Sequence, residues 1–254
     1  MTLPVTGIGS VPFTTIIEAI QFSEQHPIPF LPELTRFEDE KMLAYIESPG
    51  HLRALEAFQR RSYERVKIQS LGPVTTVVCT QYPGGAKYTP DQAVRQVQRH
   101  LGKILEGLVA DEVIVFLDEP ALAAEVNLPA EELWSQVFRY IRDPKIKLGV
   151  HNCGQGAFDR MFNADIEIVS VDANRYGRQI RPFLERRGGK RIAWGIKSIE
   201  DVLEFKPGDL ITAPCGLTFK EIGPLGKSVF YTVPECEAIY SNLMDIARKL
   251  TAKP

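Results

Sequence analysis

The run Val113-Ile114-Val115-Phe116-Leu117 is apolar at every position and stops at Asp118-Glu119-Pro120. Five residues are too few for a helix, and a run without polar alternation leaves no face for water. It reads as a strand buried on both sides, the kind that occurs in parallel sheets covered by helices. That reading constrains the rest of the chain, because parallel neighbours need crossover connections, usually helical.

The alternation the strand demands is present. Val5 to Val11 is a short apolar run broken by Gly7-Ile8-Gly9-Ser10, and Thr14 and Thr15 are N-caps for a helix carrying Ile16, Ile17, Ala19, Ile20 and Phe22. Pro27-Ile28-Pro29-Phe30-Leu31-Pro32 must be extended or turning. Helical spacing is expected over Glu38 to Ile46 and His51 to Tyr63, then a strand from Val66 to Leu71 ending at Gly72-Pro73, with Val74 to Cys79 continuing toward the loop. Pro90 opens an amphipathic helix to about Leu108. After the Val113 strand come a helix over Ala130 to Ile141, a strand over Ile146 to His151, a short helix over Ala157 to Phe162 and a strand over Glu167 to Asp172. A helix near Tyr176 to Arg186, a strand over Arg191 to Gly195, a short helix over Ile199 to Phe205, a strand over Asp209 to Pro214 and a helix from about Pro234 to Leu250 complete the pattern. At least seven βα repeats without a composition break predict one domain over residues 1–254, folded as a (β/α)8 TIM barrel.

Composition narrows the function. The 254 residues carry a net charge of -2, which gives no footing for nucleic acid. No segment approaches the ~20 apolar residues of a membrane span, and the start of the chain lacks the basic and apolar regions of a signal peptide, so a cytoplasmic protein is expected. Four cysteines are too few for a disulfide scaffold and, in such a compartment, point to metal or catalysis. Arg186-Arg187-Gly188-Gly189-Lys190-Arg191 is read as a solvated turn, His26, His51 and His100 as surface residues, and Cys79 and Cys236 as packing residues.

Barrels of this kind place their chemistry at the C-terminal ends of the strands. Those ends read Ser10, Gly72-Pro73, Asp118-Glu119, His151-Asn152-Cys153, Asp172, Trp194-Gly195 and Cys215. Side chains at i and i+2 of an extended segment point the same way, so His151 and Cys153 can converge. Taken singly, each cysteine reads as a small packing residue. His151, Cys153 and Cys215 together read as a zinc site, with Asp172 or water completing the shell. Asp118-Glu119-Pro120 is open to a plain turn, yet two acids closing an apolar strand are costly unless they face a polar cavity, which makes Asp118 a site residue.

Gly7-Ile8-Gly9-Ser10-Val11-Pro12, Gly72-Pro73-Val74-Thr75, Asp118-Glu119-Pro120-Ala121-Leu122, His151-Asn152-Cys153 and Pro214-Cys215-Gly216-Leu217 resemble, in order and context, the catalytic domain of cobalamin-independent methionine synthase. The resemblance runs from Gly7 to about Leu217 and extends to a superfamily with uroporphyrinogen decarboxylase and the coenzyme M methyltransferases. It implies Zn2+ bound by His151, Cys153, Cys215 and Asp172, and an amino-acid thiol held by Ile8, Gly9, Ser10 and Asp118. It implies a methyltransferase whose small-molecule, homocysteine-like thiol is activated as a zinc thiolate. Three departures stand out: the folate-binding half has no counterpart, the family's catalytic histidine would fall near Gly195-Ile196-Lys197-Ser198, where no histidine stands, and its substrate-binding glutamate is replaced near Arg36, with Glu33 and Glu38 close by. The first two argue against methyltetrahydrofolate and point to a methyl-corrinoid protein as donor; the third argues against homocysteine itself as the thiol. The alternatives are a metal-free decarboxylase of the uroporphyrinogen type and a non-catalytic module that binds a corrinoid protein.

Overall fold

In the computed structural model, which describes residues 3–40, 44, 51–81, 88–124, 127–222 and 228–252, the apolar runs become one parallel sheet. Strands β3 (Ser62–Leu71), β4 (Val109–Asp118), β5 (Ile146–Asn152), β6 (Ile168–Asp172), β7 (Arg191–Gly195) and β8 (Leu210–Thr212) pair in chain order, every pair parallel. The register sets Leu71 beside Asp118, Asp118 beside His151 and His151 beside Ser170, so the polar ends of adjacent strands lie level.

The N-terminal segment reaches both edges of this sheet. β1 (Ser10–Val11) pairs in parallel with β2 (Glu33–Leu34). Val5 bridges Ile211 on β8, and Phe30 bridges Lys67 on β3. The bridges are backed by Thr6 N–H to the Ile211 carbonyl at 3.1 Å and Leu31 N–H to the Lys67 carbonyl at 2.9 Å. The proline-rich stretch from Pro27 to Pro32 bends at Pro27-Ile28 and then runs on through the Phe30 bridge, within the expectation of extended or turning chain.

Among the described residues the helices are α1 (Ile16–Glu24), α2 (Leu55–Gln59), α3 (Pro73–Thr80), α4 (Pro90–Leu105), α5 (Ala130–Tyr140), α6 (Phe158–Asn163), α7 (Ala173–Leu184) and α8 (Val233–Thr251). Thr89 closes a capping box with Gln92 at the start of α4, where Pro90 also sits, and Thr232 does the same with Glu235 ahead of α8. α4 buries Ala93, Val97, Leu101 and Ile104, one helical stripe against the sheet.

Strand parity divides the core. Val113, Val115 and Leu117 join the large cluster beneath the helices, whereas Ile114 and Phe116 belong to a separate inner cluster with Ile28, Ile168, Ala193 and Leu210. Gly149 makes room for this layer, because a Cβ there would lie 2.7 Å from the Phe116 ring. Continuing the same parity, Asp118 falls on the inner row and Glu119 on the outer.

Several expectations are corrected. Val74 to Cys79 is not strand but α3: Gly72-Pro73 ends β3 and starts a helix, because proline suits a first turn. The stretch from His51 to Tyr63 holds only α2 before β3 begins at Ser62, and Ile199 to Phe205 holds only a 3-10 turn over Ile199–Asp201. A 3-10 turn spans Glu38–Glu40, while most of the expected helix beyond it and the loop Tyr82-Pro83-Gly84-Gly85 lie outside the described residues. An antiparallel pair, β9 (Phe219–Ile222) with β10 (Ser228–Phe230), was not anticipated. His26 and His100 are buried, the first among the rings of Phe22, Phe30 and Tyr240 and the second on the inner face of α4. Burial lowers both imidazoles to about 4. Arg187 is buried too, paired with Asp209 at 3.0 Å rather than solvated. Among the described residues no helix is long and apolar enough to cross a membrane.

Candidate metal centre

His151 is the last inward residue of β5, and the strand places Cys153 just beyond it on the same side. Asn152, between them, is structural. Its side-chain oxygen accepts from Gly154 N–H at 2.7 Å and its amide donates to the Gly156 carbonyl at 3.1 Å, which folds the loop around Cys153. Cys215 arrives from the short β8 through Pro214. Its loop is held by Leu217 N–H to the Ser10 carbonyl at 2.8 Å, and Gly216 is needed there because a Cβ would lie 2.7 Å from that of Ser10.

One nitrogen of His151 and the sulfurs of Cys153 and Cys215 all lie within 4.8 Å of one another. Nδ1 of His151 is engaged with the Ser170 hydroxyl at 2.9 Å, and Nε2 is buried with no protein partner. An imidazole oriented by a hydrogen bond on one nitrogen, with the other left to two sulfurs, is the arrangement of a zinc ligand with its supporting partner. The donor set therefore fits zinc. The two thiols share charge unequally: the hydrogen bond from Cys153, with help from His151, lowers Cys215 to about 4, while its role as donor raises Cys153.

A cavity of about 400 Å3 opens beside the cluster, lined by Cys153, Asp172, Arg175, Lys197, Cys215 and Tyr231 among others. Asp172 is buried at the end of β6, where its carboxylate caps α7 by accepting from Arg175 N–H at 3.0 Å. It lines the cavity, but the three-residue cluster does not include it. Lys197 stands in the stretch where the resemblance would place a histidine. Arg36 stacks over the Phe230 ring at 4.7 Å.

The Ile8-Gly9-Ser10 loop joins this centre to a buried polar cluster. Ser10 Oγ donates to Glu33 at 3.4 Å, and Glu33 also accepts from Gln69 Nε2 at 2.9 Å. Lys67 donates to the Ile8 carbonyl and to Gln69 Oε1, and its ammonium lies 5.0 Å from the centre of the Phe116 ring. Asp118 faces the same interior with Oδ1 buried and unpartnered. Burial raises its pKa, while Lys67 and His151 pull it down. Sequence reasoning named Ile8, Gly9, Ser10 and Asp118 but missed Lys67 and Gln69. The signal was there: they are the polar positions of an alternating strand whose partners Val66 and Ile68 are buried.

Glu119 has a different task. Its carboxylate accepts from Val74 N–H at 3.1 Å, Thr75 N–H at 2.7 Å and Trp134 Nε1–H at 2.8 Å, anchoring the N-terminus of α3.

No family model matches the chain, and no curated protein matches it. Among solved structures, the fold is similar to a B12-independent methionine synthase from Shewanella sp. W3-18-1, determined in complex with selenomethionine. The two share 18% identity over 82% of this chain and 68% of that one, with a TM-score of 0.48. A likeness of that degree carries no argument about the site, which rests on its own geometry.

Proposed function

We propose that the chain is a zinc-dependent methyltransferase that methylates a small-molecule thiol, built as a single (β/α)8 domain over residues 1–254. The observation that carries this is the convergence of one His151 nitrogen with the sulfurs of Cys153 and Cys215 beside an open cavity, with His151 Nε2 buried and without a hydrogen-bond partner. These three residues would hold the zinc, with Asp172 or water as a further donor. Zinc bound there supplies Lewis acidity that makes a thiol a thiolate at neutral pH.

The chain's own groups do the rest. Ser170 keeps the His151 ring oriented with Nε2 toward the sulfurs. The Ile8-Gly9-Ser10 loop and Asp118 hold the polar end of a homocysteine-like thiol, with the unpartnered Asp118 Oδ1 accepting from its amino group. The donor is a methyl-corrinoid protein that presents its methyl group at the cavity mouth. The thiol proton leaves to solvent, the sulfur–carbon bond forms and the carbon–cobalt bond breaks, its electron pair remaining with the corrinoid.

Elemental analysis of protein purified without a metal-affinity tag, beside Cys153→Ser, tests the centre. About one zinc per chain, lost in the variant, is expected. No zinc after reconstitution overturns the reading. Methylcobalamin with homocysteine then tests the reaction, and absence of zinc-dependent thioether from any thiol sinks it.

A further inference from the structure

Lys67 is fully buried, and ammonium is a donor-only group. It gives one hydrogen bond to the Ile8 carbonyl and one, at 2.9 Å, to Gln69 Oε1. With its oxygen so engaged, the Gln69 amide must turn its N–H2 the other way, where it donates to Glu33 Oε1 at 2.9 Å and to the Leu31 carbonyl at 2.9 Å. Gly9 lets the amide sit there, since a Cβ at that position would lie 2.3 Å from Gln69 Nε2. The orientation reaches Glu33 through a chain in which every donor and acceptor is fixed by the cation at its head. Lys67 forms no ion pair within 4 Å among the described residues, so Glu33 and Asp118 act on it only through space.

We propose that Lys67 is a positioning residue that, through Gln69, holds the Glu33 carboxylate as an acceptor beside Asp118 and so makes the site select thiols bearing an ammonium group. This rests on the proposed thiol-methylating function. Burial with the Asp118 charge raises Glu33 to about 7, so its ionised form depends on the donors that Gln69 and Ser10 supply.

The test compares homocysteine with 4-mercaptobutanoate, the same thiol without its amine, on zinc-loaded wild type, Lys67→Met and Gln69→Leu. Wild type is expected to favour homocysteine by roughly 10-fold or more in KM. Each variant should bring the two thiols within about threefold, chiefly by raising KM for homocysteine, with zinc content kept. Gln69→Leu breaks the same chain with Lys67 in place, so the inference stays testable if Lys67→Met fails to fold. KM rising equally for both thiols in Gln69→Leu, or the preference surviving in both variants, overturns it. Calorimetric binding of the two thiols reports the same preference without turnover. Wild type that binds homocysteine selectively but methylates nothing refutes the proposed function and leaves this inference standing.

Discussion

Two adjacent acids at the end of β4 should separate stability from function. Glu119 accepts three buried hydrogen bonds, from Val74 N–H, Thr75 N–H and Trp134 Nε1–H, and every partner is a donor. Glu119→Gln keeps one oxygen for Val74 and Trp134, which share Oε1, and turns an N–H2 toward Thr75 N–H, now 2.7 Å from a donor. One orphaned buried N–H costs about 1–3 kcal/mol, and the two surviving bonds lose their charge assistance, so the total is about 3–4 kcal/mol. For a domain of this size that lowers Tm by on the order of 10 °C. Asp118→Asn removes the charge of a group whose Oδ1 has no protein partner, so it should change stability by less than about 1 kcal/mol while reducing kcat/KM for homocysteine at least about tenfold. Differential scanning calorimetry and zinc content on both variants make the comparison. A Glu119→Gln protein melting within about 2 °C of wild type refutes the anchoring argument. An Asp118→Asn protein with full activity refutes the site assignment.

Other consequences follow from buried charge away from the site. Asp209 accepts from Ile192 N–H, Trp194 Nε1–H, Lys206 N–H and Arg187 Nη1, so Asp209→Ala strands a buried guanidinium and three donors. It should cost about 4 kcal/mol or more in urea unfolding, and Arg187→Met clearly less because Asp209 keeps three partners; the reverse order would contradict the role given to Asp209. His26 is held near 4 when folded against 6.5 when free, so between those values the unfolded chain binds the proton and stability falls as pH falls, with no loss above pH 7. From pH 7 to 4.5 wild type should lose about 2 kcal/mol more than His26→Phe, and parallel pH profiles for the two would show that His26 titrates normally.

The parallel sheet and the clustering of His151, Cys153 and Cys215 were legible because both are written in local pattern. A continuous apolar run marks β4, and mostly apolar runs interrupted by Lys147 and Ser170 mark β5 and β6. What escaped was decided by tertiary contact. Glu33 sits in a two-residue strand among prolines, with no periodicity to place its side chain. His26, just past the end of α1, and His100, on α4, have apolar neighbours that decide their burial, and a polar residue in either place reads as surface. Arg187 belongs to a basic turn by composition, but Asp209 twenty-two residues later draws it inside. Val74 to Cys79 is β-branched and apolar, the profile of a strand, yet Pro73 and the Glu119 carboxylate start a helix there.

The alternation that builds the sheet also selects which residues can share a site. Lys67 and Gln69 on β3, Asp118 on β4, His151 on β5 and Ser170 on β6 occupy one parity, continuing the layer formed by Ile114, Phe116 and Ile168. A one-residue slip in any strand would exchange its chemical row for the apolar row beneath the helices. Cys215 escapes that control, because β8 ends at Thr212 and the cysteine lies three residues beyond. Its position depends on Ser10, whose carbonyl holds Leu217 and whose side chain packs against Gly216. The loop proposed to hold the thiol therefore also fixes one sulfur of the candidate metal centre. Substitutions at Ser10 should disturb metal and substrate together, whereas those at Lys67 and Gln69 should disturb substrate alone.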